Sequence, residues 1–326
     1  MDFPPRAMIQ VLMRTVLLCV VVIMCAGACS ARKSEDHVRP MLESILETKK
    51  AVQERLAQAK DGAHGGPCGK DGAGGDCLFL SFWDFDGTII DGDISEGLKR
   101  NGRIVYKGLL QVAIEQGFAR AYQGVDAFPR FWLEYKALEA RDAAAAYGLL
   151  PRILAGSNRR DIDQMAEEYF ASVLRKNYFQ SSRTMFEELA ANGVQNYIIS
   201  AAPHVFVENA AASLDLPRDR LHGIRTRAEN GVIGDELIEP ITYHTGKTAK
   251  VREIIAALKS ERPDRRVFIL AGFGNSYHTD GDFLKFIVEQ ELPAGKPLSV
   301  MINGGESPQE YRGLFREIEQ TRIVNE

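Results

Sequence analysis

The sequence predicts a doubly wound α/β fold, a parallel sheet with a helical domain inserted after its first strand, and three observations carry the expectation. Short apolar runs end on chemistry-bearing residues: Leu78-Phe79-Leu80-Ser81-Phe82-Trp83 leads into Asp84 and Asp86, residues 193–199 into Ser200, and residues 266–271 into a Gly-Asn-Ser turn. Runs of this composition suit strands covered on both faces. Amphipathic helical patterns separate the runs, the longest lying between the first run and the second. In an open α/β sheet the ligand sits beyond the carboxyl ends of the strands, so Asp84 and Asp86 fall where a site would form.

The first run ends in Asp84-Phe85-Asp86-Gly87-Thr88. Two carboxylates at this spacing fit phosphoryl transfer: one can attack phosphorus and carry the group covalently, the other can protonate the leaving alcohol and later activate water. A divalent cation would screen carboxylate from phosphate, and Mg²⁺ prefers one or two carboxylates plus phosphate oxygens. Gly87 permits a close turn, and Thr88 offers a hydroxyl and an amide to substrate. The motif resembles the first motif of the haloacid dehalogenase-like (HAD) superfamily, mostly phosphatases.

The chain has 326 residues, 45% of them hydrophobic, enough for two domains. A net charge of -4 and a pI near 6.0 give no general basic field for nucleic acid, and no protein partner is inferable. Arg6 and Arg14 precede an uncharged run over 16–28, the length of a secretory h-region and short for a bilayer span. The run closes on Ala26-Gly27-Ala28-Cys29-Ser30, which resembles a bacterial lipoprotein cleavage site. Acylation of Cys29 is the reading, with simple signal cleavage and a retained membrane helix as alternatives; an acylated protein would be exported and held on a membrane surface. Cys68 and Cys77 then remain as a pair for a disulfide in an oxidising compartment, the alternative being an incomplete metal site with His64. Residues 37–60 carry an intermittent apolar stripe and should form a helix, and 61–76 are Gly-rich loop.

Beyond the stretch 89–97 the chain reads as amphipathic helices to about Tyr178, with segments 135–150 and 159–176 the clearest. This insertion resembles the helical cap of phosphoserine phosphatases, a lid over a small substrate. Asp93 and Glu96 lie nine and twelve residues beyond Asp84; Asp93 resembles the acid that meets the substrate ammonium in phosphoserine phosphatases, and acids matching both positions occupy the same stretch in phosphorylcholine phosphatases. The competing reading makes them helix N-terminal acids. Phe118, Tyr122, Phe128, Phe131, Trp132 and Tyr135 are read first as the cap's own core and second as a cage for a quaternary ammonium.

Ser200-Ala201-Ala202-Pro203 follows the second run and looks like the second superfamily motif, in which Ser200 and the amide of Ala201 would meet phosphoryl oxygens; Pro203 suits a first helical turn, and His204 is read as a surface residue. Asn230-Gly231 signals a hairpin. Lys247, at the start of a helix over 245–258, matches the third motif in preference to Lys250, and would offset transition-state charge. In 274–282 the fourth motif resembles the phosphorylcholine phosphatase pattern, with Asn275 on its first acid, His278 on a second and Asp280 on the third, Asp282 being the fallback. The resemblance then implies Mg²⁺ held by Asp84, Asp86, Asn275 and Asp280. Residues 297–303 read as a strand and 309–323 as a closing helix.

The sequence therefore reads as a signal peptide (1–28), a tether with a helix and a Gly-rich loop (29–77), a HAD-like core (78–92 and 182–326) and a helical cap (93–181). The expected activity is Mg²⁺-dependent hydrolysis of a small phosphorylated amine of the phosphocholine or phosphoserine type through an aspartyl-phosphate on Asp84, with Asp86 as acid and base. The alternatives are an inert binding lipoprotein of the same fold and a phosphotransferase.

Overall fold

The computed structural model describes residues 38–58, 77–321 and 323. The signal run, Cys29, His64 and Cys68 lie outside the described residues. Helix α1 (Val38–Gln58) precedes β1 (Cys77–Trp83), and Cys77 at the head of that strand is disulfide-bonded. A two-stranded hairpin follows, β2 (Gly97–Arg100) and β3 (Arg103–Lys107), then the helices α2 (Leu109–Glu115), α3 (Ala127–Glu139), α4 (Ala143–Arg152) and α5 (Arg159–Tyr169). The remaining elements are α6 (Gln180–Ala191), β4 (Gln195–Pro203), α7 (His204–Ala210), β5 (Leu221–Glu229), β6 (Val232–Ile238), α8 (Thr245–Glu261), β7 (Arg266–Gly274), α9 (Tyr277–Val288), β8 (Leu298–Ile302) and β9 (Arg316–Ile318). Among the described residues no helix is long and apolar enough to cross a membrane.

Seven strands form one sheet in the order β6-β5-β4-β1-β7-β8-β9, parallel throughout except where β6 runs antiparallel to β5. The period of two along β1 divides its side chains between two cores. Phe79 and Trp83 pack on the face that α1 and α6 cover, whereas Leu80 and Phe82 pack with Val251 of α8 and Phe283 and Leu284 of α9. Both faces are covered, which is why the strand reads as continuously apolar. Trp83 stacks on Phe273 at 3.7 Å and 14°, locking the carboxyl end of β1 against that of β7. The chain returns to this layer at Phe179, whose amide donates to the carbonyl of Ile89 at 2.8 Å.

The structure departs from the sequence reading in the connecting segments. The helix expected after Gly97 is instead the hairpin β2–β3, turned by Asn101 and Gly102, both at positive φ, and stiffened by Ile104, Val105 and Tyr106. Segment 135–150 is two helices, because the Asp142 side chain accepts from the amide of Ala145 at 3.0 Å and starts α4 afresh. Segment 159–176 ends its α-helix at Tyr169 and continues as a π turn over Phe170–Leu174. The closing helix expected over 309–323 is a short 3₁₀ turn (Gln309–Tyr311) followed by β9, which pairs with β8 beyond Gly313 at φ +74°. Pro203 ends β4 one residue before α7.

His204, expected at the surface, is buried beneath Gly223 of β5, where a Cβ would approach the His204 Cα to 2.7 Å. Its Nδ1 accepts from the Gly223 amide and its Nε2 lies 3.3 Å from Glu208, which also pairs with Arg159 of α5. Burial opposes charge on Glu208, but His204 and Arg159 outweigh it and hold the carboxyl down at about 2. A depressed acid stabilises the fold above its unfolded pKa and loses that contribution as pH falls toward the folded one. Glu208→Gln should therefore cost about 2–3 kcal/mol at neutral pH, with the gap to wild type closing toward about pH 3. Urea unfolding at both pH values checks this; a gap that does not narrow refutes it.

Candidate active site

The site is built where β1, β4 and β7 end side by side. The Asp84 amide donates to the Phe273 carbonyl at 2.8 Å, so β7 fixes the first residue beyond β1. The amides of Thr88, Ile89 and Ile90 all point to the Phe85 carbonyl and curl the chain into a single tight turn. Gly87 sits at φ +68°, and a Cβ there would fall 2.0 Å from Nδ2 of Asn275. Only glycine meets both demands, and its absent side chain lets Asn275 lie against the turn that carries the two acids.

Lys247 is fully buried and its Nζ donates to Oδ1 of Asp84 and to Oδ1 of Asp280, each at 2.6 Å. Burial works against the ammonium, but Asp280 and Asp84 more than offset this and raise its pKa. Asp84 is 4% exposed; burial first, then Asp280, push its pKa up to about 6 against the donors Lys247 and Thr88. Thr88 Oγ1 donates to Oδ2 of Asp84 at 3.0 Å, so both oxygens of the carboxylate are oriented.

Asp86 accepts from the Ile94 amide at 2.6 Å on Oδ1 and from Ser200 Oγ at 3.2 Å on Oδ2. Burial, then Asp93, then Asp84, raise its pKa well above the ordinary carboxylate range. Asp93 Oδ1 accepts from the amides of Ser95 and Glu96 at 2.6 and 2.8 Å, closing a turn that leads into β2, so these acids do not begin a helix. Burial and the neighbouring Glu96 push the Asp93 pKa up to about 7. Glu96 accepts from Tyr135 Oη of α3 at 2.9 Å and lies 3.4 Å from Lys136 Nζ.

A cavity of about 410 Å³ opens over this arrangement, lined by Asp84, Asp86, Asp93, Glu96, Lys247 and Asn275 together with Ala201. Other expected residues stand behind it. Thr88 and Ser200 are fully buried and absent from the lining; Thr88 orients Asp84 and Ser200 orients Asp86, instead of facing substrate. Asp280 also stays out of the lining. Its Oδ1 accepts from Lys247 and Thr279 Oγ1, and its Oδ2 from the amides of Asn275 at 2.9 Å and Ser276 at 3.1 Å. Outside the lining and bonded to these donors, it anchors Lys247 and the β7–α9 turn, a place that differs from the direct cation ligand the sequence reading assigned to it. Asp282 accepts from Thr248, His278 pairs with Tyr243, and Lys250 pairs with Glu253, all away from the cavity.

The cap aromatics Tyr122, Phe128, Phe131, Trp132 and Tyr135 pack on one another and none lines the cavity. Sequence reasoning missed Asp91, Ser95, Tyr147, Leu150, Phe179 and Asn303, which do line it. Asp91 and Ser95 were legible from their places beside Asp93 and Glu96; Tyr147, Leu150, Phe179 and Asn303 come from distant segments and have no local signal.

Among the described residues no three His, Cys, Asp or Glu side chains are grouped to hold a metal ion. Of the four residues expected to hold a cation, Asp84, Asp86 and Asn275 share the cavity, two carboxylates and a side-chain amide. That set suits a hard cation of the Mg²⁺ kind, and the Gly87 cradle is what brings its third member in.

A buried carboxylate clamped by lysine, with a second carboxylate two residues on at the carboxyl edge of a doubly wound sheet, defines the acid-pair site of an α/β enzyme beneath a partly helical cover. Residues 81–280 match the family model of the haloacid dehalogenase-like hydrolases, and the chain belongs to that family. A protein of unknown function from Bordetella pertussis Tohama I is similar in structure, with a TM-score of 0.54 at 14% identity over 74% of this chain and 98% of that one. A functionally unknown protein from Anaerococcus prevotii DSM 20548 has a TM-score of 0.47 at 14% identity, covering 84% of this chain and 91% of its own. A substrate-bound phosphoserine phosphatase has 0.42 at 13% identity, covering 74% and 92%. No curated protein matches the chain.

Proposed function

We propose that this chain is a magnesium-dependent phosphomonoester hydrolase acting on a small phosphorylated amine. One observation carries the reading: Asp84 lines the cavity with both oxygens oriented, one by Lys247 at 2.6 Å and one by Thr88 at 3.0 Å. In this reading an oxygen of Asp84 attacks phosphorus and the ester P–O bond breaks, the leaving alcohol taking a proton from Asp86. Water then attacks the aspartyl-phosphate, passes a proton to Asp86 and frees inorganic phosphate with the Asp84 carboxylate. Lys247 offsets charge on the transferring group. Mg²⁺, when bound by Asp84, Asp86 and Asn275, supplies electrostatic screening between carboxylate and phosphate.

The preference for an amine rests on charge. Asp91, Asp93 and Glu96 add to the two acids of the motif, and Lys247 is the sole cationic side chain lining the cavity among the described residues. A cationic leaving group would enter this field favourably. The test is phosphate release from a panel of small phosphomonoesters with and without Mg²⁺; no release from any ester defeats the reading in favour of an inert binding module, and phosphate appearing on added glycerol would assign a phosphotransferase.

Asn275 brings no charge to the cation. Asn275→Asp should lower the Mg²⁺ concentration for half-maximal activity by roughly tenfold, since added ligand charge tightens such sites. A titration unchanged by the substitution removes Asn275 from the ligand set. Export with acylation at Cys29 also belongs to this reading and is carried by residues 1–30 alone. A Cys29→Ala protein should take up no labelled fatty acid in cells, and undiminished labelling overturns the anchor.

A further inference from the structure

Ser95 has spent every group it possesses but one. Its amide donates to Asp93 Oδ1 at 2.6 Å and its carbonyl accepts from the Leu110 amide at 3.2 Å. Gly108 closes over it so tightly that a Cβ would fall 1.9 Å from the Ser95 carbonyl oxygen. The residue is 2% exposed, yet its hydroxyl has no hydrogen-bond partner among the described residues. Two other buried side-chain atoms share that condition, on His222 and Ser307, but Ser95 alone of the three lines the cavity. A buried hydroxyl left without a partner costs free energy that a bound group can recover.

Its surroundings specify what that group is. Asp93 uses Oδ1 on two amides and has no hydrogen bond to Oδ2 among the described residues, while Glu96 is already met by Tyr135 and Lys136. Acceptors are therefore concentrated at Asp93 and Ser95. A quaternary ammonium has no N–H to give them and is held instead over aromatic faces. The cavity offers few such faces: Tyr147 has one side covered by Tyr243, stacked at 4.4 Å, and Phe179 is 3% exposed. A substrate carboxylate would need a second cation beside Lys247, and the lining provides none.

We propose that Ser95 is a specificity-determining residue whose hydroxyl joins the free oxygen of Asp93 to receive a primary ammonium, so that the site selects phosphate esters of small primary amines lacking a carboxylate. The inference rests on the phosphatase reading above and narrows it. Each methyl placed on the nitrogen removes one donor and adds bulk against groups that want protons.

The full chain with Mg²⁺ is assayed on 2-aminoethyl phosphate, its N-trimethyl counterpart, its carboxylate-bearing counterpart and an uncharged aryl phosphate. The wild type should show the highest kcat/KM on 2-aminoethyl phosphate. Ser95→Ala should lower the ratio of kcat/KM for 2-aminoethyl phosphate over aryl phosphate by about tenfold, the loss of one hydrogen bond to a charged group. Release from the aryl ester with that ratio unchanged in the variant, or with the trimethyl ester equal to the primary amine in the wild type, overturns the assignment of Ser95 and leaves the phosphatase reading standing. No release from any ester overturns both.

Discussion

An Asp84→Asn protein should release phosphate roughly 10⁴-fold more slowly than wild type, the scale on which removal of a covalent nucleophile is felt. The amide keeps the shape of the carboxylate and can still accept from Thr88, while Lys247 retains Asp280, so the fold should survive. What it loses is the anionic oxygen held beside Lys247 at 2.6 Å. Acid-quenched wild type should carry alkali-labile phosphate on the chain, and the Asn protein should carry none. A variant that turns over at the wild-type rate ends the covalent reading, whatever its stability.

Lys247→Met should have the largest effect on stability. The ammonium is fully buried between two acids that are 4% and 0% exposed, and no solvent can replace it. Removing one partner of a buried ion pair typically costs about 3–5 kcal/mol because the remaining charge is uncompensated. The melting temperature should fall by roughly 10 °C. Activity should fall as well, since the same ammonium orients Asp84. A Lys247→Met/Asp280→Asn double variant should recover part of the loss, because the second change removes an orphaned charge; calorimetry on the four proteins of this cycle isolates the coupling. A single variant that melts with the wild type would place Lys247 outside this network.

Much of this arrangement is legible in the sequence. The strand ending in Asp84 and Asp86 is unmistakable because both its faces are covered, and continuous burial leaves a continuous apolar run. Lys247 was separable from Lys250 because Gly-Lys at a helix start resembles the third superfamily motif, and the structure puts Lys247 in the core and Lys250 on Glu253. The hairpin at Asn230 and Gly231 was equally plain, since both residues take the positive φ that such a turn demands. Where a residue's place depends on a partner far along the chain, the sequence was silent or misleading. His204 looked like a surface residue until Gly223 closed over it, and β9 looked helical until β8 offered it an edge.

The division follows from the range of the forces involved. Alternation, turn residues and apolar runs are local, and by themselves they determined the parallel core, the order of its motifs and the identity of the acid pair. Which side of each oxygen faces the cavity is decided by contacts across more than a hundred residues, such as Ser200 to Asp86 and Lys247 to Asp84. Only the folded sheet could turn Asp280 away from the cavity to hold a lysine, set Ser200 and Thr88 behind the acids they orient, and leave the hydroxyl of Ser95 unspent. Burial makes each of those choices costly to reverse, because a polar group removed from water must take whatever partner the packing brings to it.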